Sequence, residues 1–224
     1  MFTVIFEVRP AKWDAYLALA KSLRPALEQV EGFTRNIRYR SLRRDGWLLS
    51  LSDWADEKAL VRWRTREAHH CAQQRGREEV LEDYHLRVGE VVVDEGGGSR
   101  EDVTRVGTGP AVTLLEIGGG VMTEREEAYA DADTLARAMG LDTSAVGLVS
   151  WDVFNVVLSP QDLILVCTWE TESAAIAFSN GLRGKGREGI KCRVVRVVRD
   201  YGKYDRREAP QFYPDVPGQE TLHM

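Results

Sequence analysis

Residues 52–84 read SDWADEKALVRWRTREAHHCAQQRGREEVLEDY, a charged segment that joins the end of one predicted strand to the start of another. The segment is predicted to be largely helical, and in it a polar stripe, His69, Gln73, Gly76 and Val80, recurs at i, i+4, i+7 and i+11. At 3.6 residues per turn, His69 and Gln73 share one face of that helix, whereas Trp63 and His70 share another. The sequence therefore offers two histidines to one candidate pocket and does not say which one enters it.

The residues around this segment complete a strand–helix–strand–strand–helix–strand order. Strands are predicted over 2–8, 33–42, 47–54 and 85–94, and helices over 12–30 and 55–83, the first kinked or split at Pro25. This order is the ferredoxin-like unit, which places both helices on one face of an antiparallel sheet. The other face is apolar and has to be buried, and a second copy of the unit would bury it.

The same order recurs after a polar, glycine-rich linker over 96–111. Trp54 in LSDWADE matches Trp169 in VCTWETE at the end of the third strand of each copy. Strands are predicted over 112–117, 147–157, 162–169 and 190–200, and helices over 123–140, with Thr123 and Glu126 as a capping box, and 170–180. We therefore predict an α+β fold of two tandem ferredoxin-like repeats, 1–95 and 112–202, packed sheet to sheet, with a C-terminal arm over 203–224.

The two predicted repeats differ in the segment that carries the histidines. Nine residues after the matched tryptophan, the first repeat has Trp63 and the second has Phe178. The second helix then runs into glycines, and nothing in it matches His69, His70 or Gln73. We expect a functional site in the first repeat only.

Composition narrows the class of protein. Thirty basic and 35 acidic residues are interspersed, with a formal net charge of −5, which argues against a nucleic-acid partner. No apolar run approaches the ~18–20 residues that span a bilayer, and the chain opens on a strand rather than a signal peptide. Three cysteines without CxxC spacing favour a reduced, cytoplasmic location, with Cys71 expected to be a small buried hydrophobe. No histidine–carboxylate cluster has metal-site spacing, so no metal is predicted.

Several segments resemble the antibiotic biosynthesis monooxygenase (ABM) family of the dimeric α+β barrel superfamily: VIFEV, LLSLSDWADEKALVRWR, EAHHCAQQRGR and VVRDYG. The resemblance covers nearly all of 1–95 and is weaker over 112–202. It implies that the two repeats form an intrachain dimeric α+β barrel, a pseudo-dimer within one chain, with further homodimer formation left open. It also implies a monooxygenase that uses dioxygen on an electron-rich, polyketide-like aromatic molecule, often without a cofactor.

The same family contains haem-degrading enzymes, which leaves haem as an alternative cofactor beside reduced flavin. From that branch a tryptophan and a histidine carry over as Trp63 and His69. Its first-strand asparagine does not, since that place falls near Phe6. A polyketide cyclase and a non-catalytic protein that binds a hydrophobic ligand stay open as further alternatives.

A cofactor-free oxygenase needs a base, groups that hold the resulting anion, and a dry aromatic pocket. His69 is the candidate base, because an imidazole with a pKa of ~6.5 can transfer protons near neutrality. Arginines on the helix-facing side of the second strand could hold the anion, and Arg35, Arg38 and Arg40 are the candidates. Trp54 and Trp169 are expected to be core anchors. The predicted catalytic residues are His69, Trp63 and His70, and the predicted substrate-binding residues are Tyr39, Arg38, Phe6 and Gln73.

Overall fold

The computed structural model describes residues 1–94, 109–118, 131–183 and 190–210. In the first half (1–94) the elements are β1 (Phe2–Pro10), α1 (Trp13–Glu28), β2 (Phe33–Ser41), β3 (Leu48–Trp54), α2 (Glu57–Arg64), α3 (Glu67–Arg75), a π-helical turn (Gly76–Val80) and β4 (Leu81–Asp94). In the second half (109–210) they are β5 (Ala111–Ile117), α4 (Ala132–Ala138), β6 (Leu148–Val156), β7 (Ser159–Trp169), α5 (Glu172–Arg183) and β8 (Ile190–Gly202).

The eight strands form one closed barrel in the order β1-β3-β2-β6-β7-β5-β8-β4. Each half contributes four neighbouring strands in the ferredoxin-like order, β4-β1-β3-β2 and β8-β5-β7-β6. The halves join where β2 pairs with β6 and β4 with β8, so the edges of both sheets are covered. The predicted α+β barrel is confirmed. The domain limits at 95 and 112 stay a prediction, because the proposed linker lies largely outside the described residues.

Alternate residues of each strand point into the barrel or toward the helices. The barrel interior is an apolar cluster to which both halves contribute, including Ile5, Leu49, Leu51, Leu114, Phe154, Ile164 and Val166. Tyr39 belongs to this cluster and is 2% exposed. The prediction that Tyr39 lines the pocket is therefore not supported by its position, because the period-two alternation of β2 turns its side chain away from the helices.

A network of buried charges ties the two halves together inside the barrel. Asp53 in β3 accepts hydrogen bonds from Arg193 in β8 at 2.9 and 3.0 Å and from Arg35 at 2.5 Å. Both arginines also donate to Glu116 in β5. Burial opposes ionisation of Asp53, but the positive charges of the arginines and the Thr3 hydrogen bond outweigh it and lower the pKa of that carboxyl. The Arg35 guanidinium therefore lies in the barrel interior, where it pairs with Asp53 and Glu116.

The helical segment between β3 and β4 is broken, whereas the sequence predicts one helix over 55–83. Asp56 caps α2 by accepting a hydrogen bond from the backbone of Ala59, and α2 ends where the Thr65 hydroxyl bonds back to Val61. Arg66 is extended, with φ −65° and ψ 133°, so α3 starts in a new direction. Helix α1, by contrast, continues through Pro25.

Of the remaining sequence predictions, some agree with the structure and others do not. The predicted capping box at Thr123 and Glu126 lies outside the described residues. Helix α4 is capped by Asp131, which accepts a hydrogen bond from the backbone of Thr134. Trp54 and Trp169 are buried, at 1% and 2% exposed, as expected of core anchors. Cys71 is exposed, so its prediction as a buried hydrophobe is wrong, because it lies on the outer face of α3. None of the helices that the structure describes is long and apolar enough to cross a membrane.

Candidate active site

The first half contains a cavity of about 240 Å³ between its helices and its sheet. Helices α1, α2 and α3 and the π-helical turn form the roof, and the helix-facing residues of the strands form the floor. The strand register arranges the floor in two rows across β2, β3, β1, β4 and β8. One row is Asn36, Ser52, Val4, Val88 and Arg199, and the other is Arg38, Ser50, Phe6, Leu86 and Tyr201.

The last residue of each row comes from the second half of the chain. Strand β8 continues past the strands of its own half and pairs with β4 as far as Gly202. Arg199 and Tyr201 therefore lie in the floor of a cavity that is otherwise built from the first half. The short segment that follows β8 adds Arg206 and Pro210 to the lining.

Trp63 and His69 meet in the roof because α2 and α3 are separate helices. Their rings stack with centroids 4.4 Å apart and an interplanar angle of 19°. Both residues line the cavity, whereas His70 is exposed and does not. The structure thus resolves the ambiguity between the two histidines in favour of His69. Whether His69 and Trp63 act in catalysis stays a prediction.

Burial changes the chemistry of His69. It lowers the pKa of the imidazole to about 4, and a hydrogen bond with the backbone of Trp63 does not offset that effect. The ring is neutral at physiological pH as a result, and its Nδ1 atom is buried without a hydrogen-bond partner. The expected base with a pKa near 6.5 is therefore a weaker base that can accept a hydrogen bond or proton from a ligand.

The remaining predicted residues divide by position. Phe6, Arg38 and Gln73 line the cavity, as do Gly76 and Val80 from the polar stripe of the sequence. Trp54, expected only in the core, also lies in the floor, where its indole N–H donates to Ser52 Oγ at 3.0 Å. Tyr39 and His70 lie elsewhere.

The cavity has a positive lining. Its charged residues are one glutamate, Glu57, and five arginines, Arg38, Arg64, Arg77, Arg199 and Arg206. Arg77 is 3% exposed and is carried into the cavity by the π-helical turn, a feature that often marks functional sites. Arg40 lies outside the cavity with its guanidinium over the Trp13 ring.

Sequence reasoning did not identify three tyrosines and two arginines of this lining: Tyr16, Tyr84, Tyr201, Arg77 and Arg206. The end of β8 carried a signal, since VVRDYG is one of the segments that resemble the family. The π-helical turn had none, because residues 76–80 continue a helical pattern in the sequence. Nowhere in the described ranges do three or more His, Cys, Asp or Glu residues gather as a metal site would require.

Comparison with known proteins gives two results on sequence. The family model for antibiotic biosynthesis monooxygenase matches residues 1–75. The chain is 48% identical over 228 residues to a protein of Pyricularia oryzae named jasmonate monooxygenase ABM, across 96% of this chain and 99% of that protein.

Solved structures give the fold. An aldoxime dehydratase superposes with a TM-score of 0.53 at 12% identity, over 88% of this chain and 80% of its own. A second aldoxime dehydratase, crystallised with butyraldoxime, gives a TM-score of 0.50 at 12% identity, over 88% and 78%. At this identity the similarity extends to the barrel architecture alone.

Proposed function

The chain belongs to the antibiotic biosynthesis monooxygenase family, and from that premise we propose that it oxidises a small, largely apolar carboxylate of the jasmonate class. It is an ABM-type monooxygenase, a conclusion that the 48% identity to the Pyricularia oryzae protein carries over nearly the whole chain. The substrate class goes one step further. It is supported by the name of that relative and by the properties of the cavity.

The observation that carries the proposal is an apolar cavity whose charged lining is almost entirely arginine. Jasmonate is a cyclopentanone with an apolar side chain and one carboxylate, and it has roughly fifteen non-hydrogen atoms, fewer than most drug-sized ligands. A volume of about 240 Å³ lies just below the ~300–1,000 Å³ of pockets for such ligands. The apolar wall suits the ring and side chain, and the arginines suit the carboxylate.

In the proposed reaction one atom of dioxygen enters a C–H bond of the substrate and the other leaves as water. The balance requires two protons and two electrons, and a two-electron donor such as a reduced flavin supplies the electrons. His69 is proposed to receive or hold a proton at Nδ1, the buried ring atom that lacks a protein partner. Trp63 fixes the imidazole plane by stacking against it.

We propose that no cofactor resides in the cavity. This proposal is supported by the volume of about 240 Å³, which lies below the ~300–1,000 Å³ of pockets for drug-sized ligands, whereas a porphyrin or an isoalloxazine ring beside a substrate would need a larger pocket. The electron donor is therefore proposed to act from solution.

The experiment is to incubate the purified protein with jasmonate and ¹⁸O₂, with and without chemically reduced flavin, and to analyse the products by mass spectrometry. We expect a product that has gained one ¹⁸O atom, and a loss of at least tenfold in rate for His69→Ala. His70→Ala is the matched control, because its side chain lies outside the cavity. Absence of labelled product under both conditions would refute the proposed substrate class.

An electron-rich aromatic substrate is the second candidate. It is favoured by the aromatic lining of the cavity, in which Phe6, Tyr16, Trp63, Tyr84 and Tyr201 take part. Oxidation of an anthrone CH₂ to a carbonyl consumes one dioxygen and releases one water, so the substrate itself supplies all the electrons. Oxygen uptake with an anthrone and naphthol panel, without any reductant, distinguishes this candidate from the first.

A further inference from the structure

The geometry points to a carboxylate-binding site at one end of the cavity, formed by Arg77, Tyr84 and Arg206. We propose that this cluster, the Arg77–Arg206 site, binds the carboxylate of the substrate and thereby selects an acid over its neutral ester or amide. The inference deepens the proposed function and rests on it for the identity of the substrate. Its physical basis is the buried guanidinium of Arg77, whose partners are neutral, beside the half-buried guanidinium of Arg206.

Two guanidinium groups converge on one phenol oxygen in this site. Arg206 Nη1 donates to Tyr84 Oη at 2.7 Å, and Arg77 Nη1 donates to the same atom at 3.4 Å. Tyr84 and Arg77 are 8% and 3% exposed, so the convergence lies in the protein interior. All three side chains line the cavity.

The partners of Arg77 are neutral. Besides Tyr84, its guanidinium donates to the backbone carbonyl of Lys203, and within the described part of the chain its hydrogen bonds go to these two neutral groups. Its Nε atom is buried without a hydrogen-bond partner. A buried guanidinium normally finds an anionic partner, because an unpaired buried charge is costly. The carboxylate of a ligand would supply that partner.

Lys203 shows the effect of this charge on its surroundings. Partial burial and the positive charge of Arg77 lower the pKa of its amine, although Asp83 and Glu82 act in the opposite direction. The amine donates to the backbone carbonyl of Leu81 at 2.7 Å, which anchors the segment that carries Arg206 against the end of β4. The site thus has a fixed frame and a net positive potential.

The other candidate for carboxylate recognition is Arg38. It lies on β2, three strands away from β4, which is roughly 14 Å at the usual strand spacing. Arg38 is a single guanidinium bonded to the Tyr16 hydroxyl, and its Nε atom, like that of Arg77, is buried without a hydrogen-bond partner. A carboxylate gains more from two converging guanidinium groups than from one. The two ends of the cavity can therefore be told apart by mutation.

The test measures acid-over-neutral selectivity by calorimetry, with octanoate against octanamide and jasmonate against methyl jasmonate. Wild type is expected to prefer each acid, and Arg206→Gln and Arg77→Gln to weaken acid binding roughly 10- to 100-fold while leaving neutral ligands unchanged. Arg207→Gln is the matched control, because Arg207 is 87% exposed and pairs with Asp205. Should Arg77→Gln not fold, Arg206→Gln decides, since its side chain lies on the segment after β8.

Two outcomes would overturn the inference: selectivity retained in both variants, or selectivity lost in Arg38→Gln instead. The octanoate pair separates this result from the proposed function. If the wild type oxidises jasmonate but Arg206→Gln still prefers acids to neutral ligands, the carboxylate site is refuted and the proposed function is not. If Arg206→Gln no longer prefers octanoate to octanamide and the wild type does not oxidise jasmonate, the carboxylate site is supported and the proposed substrate is refuted.

Discussion

The two halves of the molecule have the same strand order, yet the first has a cavity over the helix-facing side of its sheet, whereas the described residues on the matching side of the second half pack in an apolar cluster. At four matched floor positions the first half has Asn36, Arg38, Ser50 and Ser52, and the second has Trp151, Val153, Leu165 and Cys167. Three of the four second-half residues are fully buried in one apolar cluster, and Trp151 is 9% exposed. The cavity of the first half and the apolar core of the second thus differ in side-chain volume on one face of the same kind of sheet.

The difference has an energetic side. At roughly 24 cal/mol per Å³, an empty cavity of about 240 Å³ would cost about 6 kcal/mol of stability. Water, ligand and the polar floor reduce that cost, and the apolar packing at the matched positions Val153, Leu165 and Cys167 of the second half avoids it. The last strand of each half also contributes residues to the other half. Val92 of β4 packs in the apolar cluster of the second half, whereas Arg199 and Tyr201 of β8 line the first-half cavity.

The largest expected effect on stability comes from replacing a buried residue of the second half by the residue type found at the matched position of the first half. Leu165→Ser should lower the free energy of unfolding by about 3–5 kcal/mol, because it removes a fully buried side chain and buries a hydroxyl. Its counterpart Ser50→Ala should change stability by no more than about 1 kcal/mol, although it loses the bond from Asn36. Urea denaturation of both variants measures the contrast, and equal losses would contradict the comparison.

The reverse exchange should remove function instead of stability. Arg38→Val combined with Ser50→Leu places the second-half residues in the first-half floor, so the ligand loses its space. We expect turnover to fall at least about 100-fold, or 2.7 kcal/mol, with stability unchanged or higher. Oxygen-uptake assays and thermal unfolding on the same sample check both parts. The control is Asn155→Val on β6, which is outside the cavity and should leave turnover as it is.

Acid should destabilise the first half through His69. Its pKa is about 4 in the folded protein and ~6.5 when unfolded, so the unfolded state binds the proton more readily. The stability that the neutral ring contributes is full above pH 6.5 and is lost as pH falls toward 4, by about 2 kcal/mol at pH 5. His69→Gln should flatten the slope of stability between pH 7 and 5. His70→Gln, at an exposed position, should keep it, and an unchanged slope in both variants would show that His69 is not buried as described.

The contrast between the two halves also shows which features of the fold and of the candidate site can be predicted from the sequence. The barrel was predictable because alternation, strand order and the matched tryptophans are local patterns with one compatible topology. The entry of His69 instead of His70 was not, because it depends on a helix break at Thr65–Arg66 that an uninterrupted helical pattern conceals. Arg77 escaped notice for a similar reason, since a π-helical turn has no distinctive spacing. The contribution of Tyr201 and Arg206 requires knowing how far β8 extends beyond its own half.

The smallest expected effect concerns the residues nine positions after the matched tryptophans. Phe178 packs against Trp169 with ring centroids 5.1 Å apart, so Phe178→Trp should overpack the second half by about 1–2 kcal/mol and leave ligand affinity unchanged. Trp63→Phe should cost a similar amount or less, because the space opens into an existing cavity, but it should weaken ligand binding and free the His69 ring. Titration of His69 by NMR in the two variants separates them: its pKa should rise toward 6.5 in Trp63→Phe and stay near 4 in Phe178→Trp. A change in the pKa of His69 in Phe178→Trp would show that the second half also determines the environment of the site. Such a result would contradict the assignment of the site to the first half.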